Sequence, residues 1–253
     1  MVHVVAAPHT QSTICGAGAE GLNVHPVNWF EEEMFFFSTH IGYRHAAVDP
    51  FKERAKVYKL IEDADVYIEN LRPGLADKEG YSAEALAEFR PGIVCCSIKL
   101  NTPGPYSQMP GFDFNAGAIS GLFTECGTPN APAFPHAVNV ICDLLSGKMA
   151  AIGIQAALLR RAREGGSYKV SVSLAQGATW LMSLGLIPKT DLLDIESLGP
   201  EHQHMKPNLI SGKTAWGDTT IIGSQAEMSL TPESWGDPLT MPPGSSYPEW
   251  LSR

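Results

Sequence analysis

Two short apolar runs constrain this chain most: Asp65 to Glu69 (DVYIE) and Ile93 to Ile98 (IVCCSI). Each has the length of a strand, and the segment between them, Ser82 to Phe89, has helical spacing. A run with little polar alternation reads as a strand buried on both faces. In a strand–helix–strand order that means a parallel sheet flanked by helices. The alternation continues outward. Phe51, Ala55, Tyr58, Leu60 and Ile61 mark a helix before the first run. After the second come a Pro/Gly loop at 101–111, a small-residue helix through Leu122 and a second Pro-rich loop at 128–135. Val138 to Arg163 is the longest helical pattern, apolar on most faces until Leu159 and so largely buried. Arg160, Arg161 and Arg163 suit its C-terminal dipole, and Gly165-Gly166 stop it. Tyr168 to Leu174 then alternates as a strand, and Ala175 to Leu184 looks helical.

The two ends are less regular. Val2 to Ala7 (VHVVAA) reads as a short buried strand ended by Pro8, and residues 8–47 as irregular, with an aromatic knot at Trp29, Phe30 and Phe35 to Phe37. A strand so near Met1 implies that the β-α unit usual before it is missing. Beyond residue 186 the chain loosens, with a strand at Thr219 to Ile222 and a Pro-rich tail, 231–250, that reads as an arm over a surface. Neither an internal repeat nor a low-complexity tract is present. The expectation is one α/β domain over residues 1–253, with its core at about 40–185 and an extended C-terminal arm over 186–253.

A net charge of −9 argues against nucleic acid or an anionic membrane as partner, but not against an anionic ligand held by a few cations and backbone N–H groups. Five cysteines without a CxxC spacing suggest a reduced, cytoplasmic or organellar setting. No run approaches 18 apolar residues, and no secretory leader pattern opens the chain. Gly16 to Gly21 (GAGAEG) has the GxGxxG form, yet no strand directly precedes it, so a flexible loop is the better reading. His202 and His204 have no third ligand nearby, so no metal is expected. Asp143 falls near the start of the long helix, where the dipole favours a charged carboxylate.

Four stretches, in this order and spacing, resemble the class III CoA-transferases: Ala64 to Gly74 (ADVYIENLRPG), Pro91 to Ile98 (PGIVCCSI), Gly111 to Leu122 (GFDFNAGAISGL), and Asp143 to Gly147 leading into AALLRRAREGGSYKVSVSLAQ. The tail segments ISGKTAWG and MSLTPESWGDPLTMPPGSSYPEWL also resemble the closing part of short members. The resemblance implies a Rossmann-like parallel sheet in an interlocked homodimer acting on acyl-CoA and a carboxylic acid. It makes Asp143 the carboxylate that attacks the thioester, with CoA exchanged through an aspartyl anhydride and an aspartyl-CoA thioester. Ser146 and Gly147 would leave room for the pantetheine arm. It matches CoA-contacting positions to Asn70, Leu71, Arg72 and Lys78, and pocket-lining positions to Phe112 and Asp113.

The chain also departs from that family. On this reading, the usual first strand and helix, the separate small domain after residue 174, and the Gly-rich loop over the active site are expected to be missing. Phe112 stands where the alpha-methylacyl-CoA racemase branch has a histidine, which disfavours two-base racemisation; His136 is a substitute only by proximity in sequence. The alternative to a transferase is a catalytically silent dimer subunit, or a site repurposed for isomerisation or epimerisation.

Overall fold

The computed structural model describes residues 1–133, 140–192, 207–224 and 226–251. Its centre is the sheet that the two apolar runs foretell. Strands β3 (Val66–Glu69), β4 (Val94–Lys99) and β5 (Tyr168–Ser173) pair in parallel in the order β3-β4-β5. Val66 lies opposite Val94, and Val94 opposite Tyr168. Successive side chains of a strand point to opposite faces, so Cys95 and Cys96 enter different cores. Cys96 joins Ile68, Ile98, Leu100, Ile154 and Leu174 on one side; Cys95 joins Tyr67, Tyr81, Leu86, Ile93 and Val57 on the other.

The first core lies under α1 (Ala6–Gly16) and α8 (Ile141–Glu164). Gly147 lets these helices touch: a Cβ there would stand 2.8 Å from the Ala6 carbonyl oxygen. Thr10 Oγ1 donates to the Gly147 carbonyl at 3.1 Å across the same contact. The far end of α8 is tied down by Arg161, which donates to Gly92 O at 2.8 Å and Asp65 Oδ1 at 3.0 Å; Gly165, at φ 71°, then ends the helix. By length and composition α8 could cross a membrane, but its Cys142, Ala150 and Ile154 face is packed in this core.

The second core lies under α3 (Arg54–Ile61) and α5 (Ala83–Phe89), whose first turn is capped by the Ser82 hydroxyl accepting the Ala85 N–H at 3.1 Å. The short helix α4 (Leu75–Lys78) fills the turn after β3. Helices α6 (Asp113–Ser120) and α7 (Leu122–Cys126) are separated at Gly121, whose φ of 86° ends the first of them just before Leu122, where the sequence reading ends its helix. Helix α9 (Leu174–Ser183) follows β5 directly.

The N-terminal region corrects the sequence reading. Val2 to Ala7 is not a strand, because α1 begins at Ala6 and Pro8 sits in its first turn, where a missing N–H costs nothing. Residues 8–47 are not irregular either. They form α1, β1 (Leu22–His25), α2 (Glu33–Thr39) and β2 (Arg44–Ala47), with β1 and β2 paired in parallel. Asn23 of β1 ties the strand to the N-terminal segment, its amide pairing with the Val2 backbone N–H (3.1 Å) and carbonyl (3.3 Å). The glycines of GAGAEG connect the end of α1 to β1, the reverse of the order that a phosphate-binding fingerprint needs.

After residue 207, β6 (Leu209–Thr214) and β7 (Gly217–Ile222) form an antiparallel hairpin. Farther on, the Trp235 indole donates to Ser12 O at 2.9 Å, Leu239 and Thr240 are buried, and the Trp250 indole donates to Leu60 O at 2.9 Å.

Candidate active site

The start of α8 has an unusual cap. Val140, at φ 58°, offers no side-chain oxygen to the first free N–H groups of the helix. Asp113, at the start of α6, supplies one instead: its Oδ2 accepts the Asp143 N–H at 2.9 Å, and its carboxylate also accepts the Cys142 N–H. Two carboxyl groups are thereby brought into one buried place, Asp113 at 4% exposure and Asp143 at 6%.

The electrostatics follow from that burial. Desolvation, with the Asp113 charge adding to it, pushes the Asp143 carboxyl up to about 7. Burial also raises Asp113, while the two backbone N–H groups it accepts oppose the rise. The helix dipole that the sequence reading invokes favours a charged Asp143, and burial opposes it. A helix N-terminus contributes about 0.3–1 kcal/mol at an exposed position, and desolvation of a buried carboxylate exceeds it.

Asp143 lines a cavity of about 910 Å³ at the C-terminal ends of the parallel strands, touched by His25 at the end of β1, Asn70 after β3, Lys99 at the end of β4 and Leu174 after β5. Open parallel sheets place their ligand crevices there, because the loops that leave the strands diverge at that edge. Trp29, Phe30, Phe51, Leu71, Met109 and Phe112 make much of the wall apolar.

Its polar groups have distinct states. Asn70 donates from Nδ2 to His3 O at 2.6 Å, which leaves its Oδ1 buried without a hydrogen-bond partner. Lys99 donates to both carboxylate oxygens of buried Glu69, at 2.8 and 2.7 Å, and to Leu71 O at 2.7 Å. Glu69 also accepts the Leu71 N–H at 2.7 Å, so one ion pair shapes the turn into residues 70–74. Arg72 is exposed at the rim and forms no ion pair among the described residues.

Behind Trp29 lies a nest of rings. His25 stacks on Trp29 with centroids 4.4 Å apart, and His40 stacks on His45 at 5.2 Å. Burial, the largest effect, pulls His40 down to about 2 and His45 to about 3, so both are neutral imidazoles at ordinary pH.

Of the residues singled out in the sequence, the fold brings Asn70, Leu71, Arg72, Phe112 and Asp143 to this one cavity. Asp113 stands behind it as the cap of α8. Lys78 is not at the cavity: it projects from α4 with its amine 4.0 Å from Glu79. His136, His202 and His204 lie outside the described residues. No group of three or more metal-ligating side chains is arranged to hold an ion among the described residues. Sequence reasoning missed Glu69, Lys99 and Trp29. The signal for the first two was available, since an acid and a lysine end neighbouring parallel strands.

Comparison with known proteins agrees with this architecture. The sequence profile of CoA-transferase family III matches residues 3–209, and the chain belongs to that family. It is 26% identical over 191 residues to an acetyl-CoA:oxalate CoA-transferase of Acetobacter aceti, covering 70% of this chain and 49% of that protein. It is 34% identical over 122 residues to a succinate–glutarate CoA-transferase of Agrobacterium fabrum, covering 47% and 30%. The chain thus spans about half or less of the length of the curated relatives it matches. Among solved structures, a CAIB/BAIF family protein from Brucella suis superimposes with a TM-score of 0.66 at 24% identity, covering 86% of this chain and 62% of that one. A hypothetical protein from Mycobacterium tuberculosis does so with a TM-score of 0.65 at 26% identity, covering 73% and 54%.

Proposed function

We propose that this chain moves CoA between an acyl-CoA and a carboxylic acid, with Asp143 as the covalent carrier. The observation that carries the reading is the placement of a buried carboxyl, raised to about 7, in the wall of the strand-end cavity. Ionised Asp143 attacks the thioester carbonyl; the C–S bond breaks, CoA thiolate leaves, and an acyl-aspartyl anhydride forms. The thiolate attacks the aspartyl carbonyl and releases the first acid, giving an aspartyl-CoA thioester. The second acid attacks that thioester and displaces thiolate, which then takes the new acyl group and frees Asp143. No net proton is consumed. A desolvated carboxylate suits the task, since its pKa near neutrality makes it a stronger nucleophile than an exposed one.

CoA fits the unfilled valences of the cavity. The buried Asn70 Oδ1 needs a donor, which an amide N–H of a pantetheine arm supplies, and exposed Arg72 suits a phosphate. Lys78 is too remote from the cavity to share that role in one chain. The family resemblance extends the proposal to an interlocked homodimer. The free, mostly buried cysteines fit a reducing compartment such as the cytoplasm.

Calorimetry with CoA and acetyl-CoA tests the reading, with Asp143→Ala and Arg72→Glu measured alongside. Binding that Arg72→Glu weakens and Asp143→Ala leaves intact supports it. A folded chain that binds neither ligand overturns it and favours a silent dimer subunit.

A further inference from the structure

Among the described residues, every basic group in the cavity wall except one is already answered by a neighbour or kept neutral by burial; the Met1 amine donates to Ile68 O at 2.9 Å, and burial lowers it to about 5. Lys99 is held by both oxygens of Glu69, whose side chain is only 5% exposed, and by a carbonyl. His3 faces Glu31 at 3.1 Å, and the same Glu31 oxygen accepts the Val4 N–H. His25 has one ring nitrogen 2.9 Å from Pro26 O and is kept neutral by burial. Arg72 is thus the unpaired cation among the described lining residues, and it stands at the exposed rim.

We infer that the acid handled at this site is a monocarboxylate with an apolar, ring-compatible body, such as an arylacetate, and not a short dicarboxylate. The inference rests on the acyl-CoA reading and deepens it. One carboxyl carbon reacts at Asp143, so a dicarboxylate must leave its second charge in the cavity. An unpaired carboxylate in an apolar wall is strongly disfavoured, and among the described lining residues no cation is free to meet it once Arg72 serves the phosphates. Trp29, Phe30, Phe51 and Phe112 instead offer flat faces on which a ring can rest, edge-on or offset. Taking Lys99 from Glu69 would leave a buried carboxylate alone, so the lysine cannot be recruited cheaply.

The test compares CoA, phenylacetyl-CoA and succinyl-CoA by calorimetry on the wild-type chain, on Trp29→Ala and on Glu69→Gln. CoA alone reports on the acyl-CoA site itself: if it does not bind, the functional reading fails before the acyl question arises. With CoA bound, phenylacetyl-CoA is expected to bind about tenfold or more tighter than succinyl-CoA. Trp29→Ala should remove most of that gap. Glu69→Gln, by freeing Lys99, should narrow the gap by strengthening succinyl-CoA. Equal or tighter binding of succinyl-CoA to the wild type overturns the inference, and so does a gap that persists in Trp29→Ala. The wild-type and Trp29→Ala arms decide the matter if Glu69→Gln does not fold.

Discussion

The Asp113 carboxylate accepts the backbone N–H of Asp143 at 2.9 Å, so one buried acid caps the helix that carries the other. The contact joins the starts of α6 and α8, holds Asp143 in position and adds to the rise that burial causes in its proton affinity. Asp113→Asn keeps an oxygen for the cap and removes the neighbouring charge, so the Asp143 carboxyl should fall from about 7 toward its ordinary range. The acidic limb of the rate profile would then move to lower pH. An unmoved limb would separate the two carboxyls.

Stability should depend on pH through the same pair. The folded-state value of Asp143, about 7, lies above its ordinary 3.8, so between these values the folded chain binds more protons than the unfolded one. This contribution is greatest below about pH 4 and is lost as pH rises through 7, on the order of 4 kcal/mol at most. Other groups set the full profile, so the comparison is differential. In denaturant melts at pH 5 and pH 8, Asp143→Asn should lose less stability across the interval than the wild type.

Lys99→Met should destabilise the fold by about 3 kcal/mol, because it strands the buried Glu69 carboxylate without its cation. Denaturant midpoints measure this. Lys99→Met combined with Glu69→Leu should recover much of the loss, since the unpaired charge is then gone.

Arg72→Glu should weaken CoA binding more at low salt than at high salt, as expected where an exposed cation faces phosphate. Titrations at two ionic strengths check it, and equal weakening at both would point to damage elsewhere.

The central sheet was legible because β3 and β4 are apolar enough to announce burial, because β5 alternates, and because Gly165 and Ser82 mark helix ends by rules local to the chain. Strands β1 and β2 were hidden by composition. Asn23, His25 and His45 are all buried in them, and polar residues inside strands erase the signal that periodicity depends on. The N-terminal helix was misread because Val2 to Ala7 is apolar and Pro8 looks like a stop, whereas a proline is tolerated in a first turn. In the site, Asp143 was visible through resemblance. Its environment was not, because the cap comes from Asp113, distant in sequence, and the desolvation comes from packing that no local pattern records.

The most direct measurement is the mass of the protein after incubation with acetyl-CoA, followed by fragmentation of the peptide that contains Asp143. The account predicts a CoA adduct with loss of water on Asp143, released by a carboxylic acid acceptor and absent in Asp143→Asn. An adduct on another residue, or transfer that survives Asp143→Asn, would contradict it.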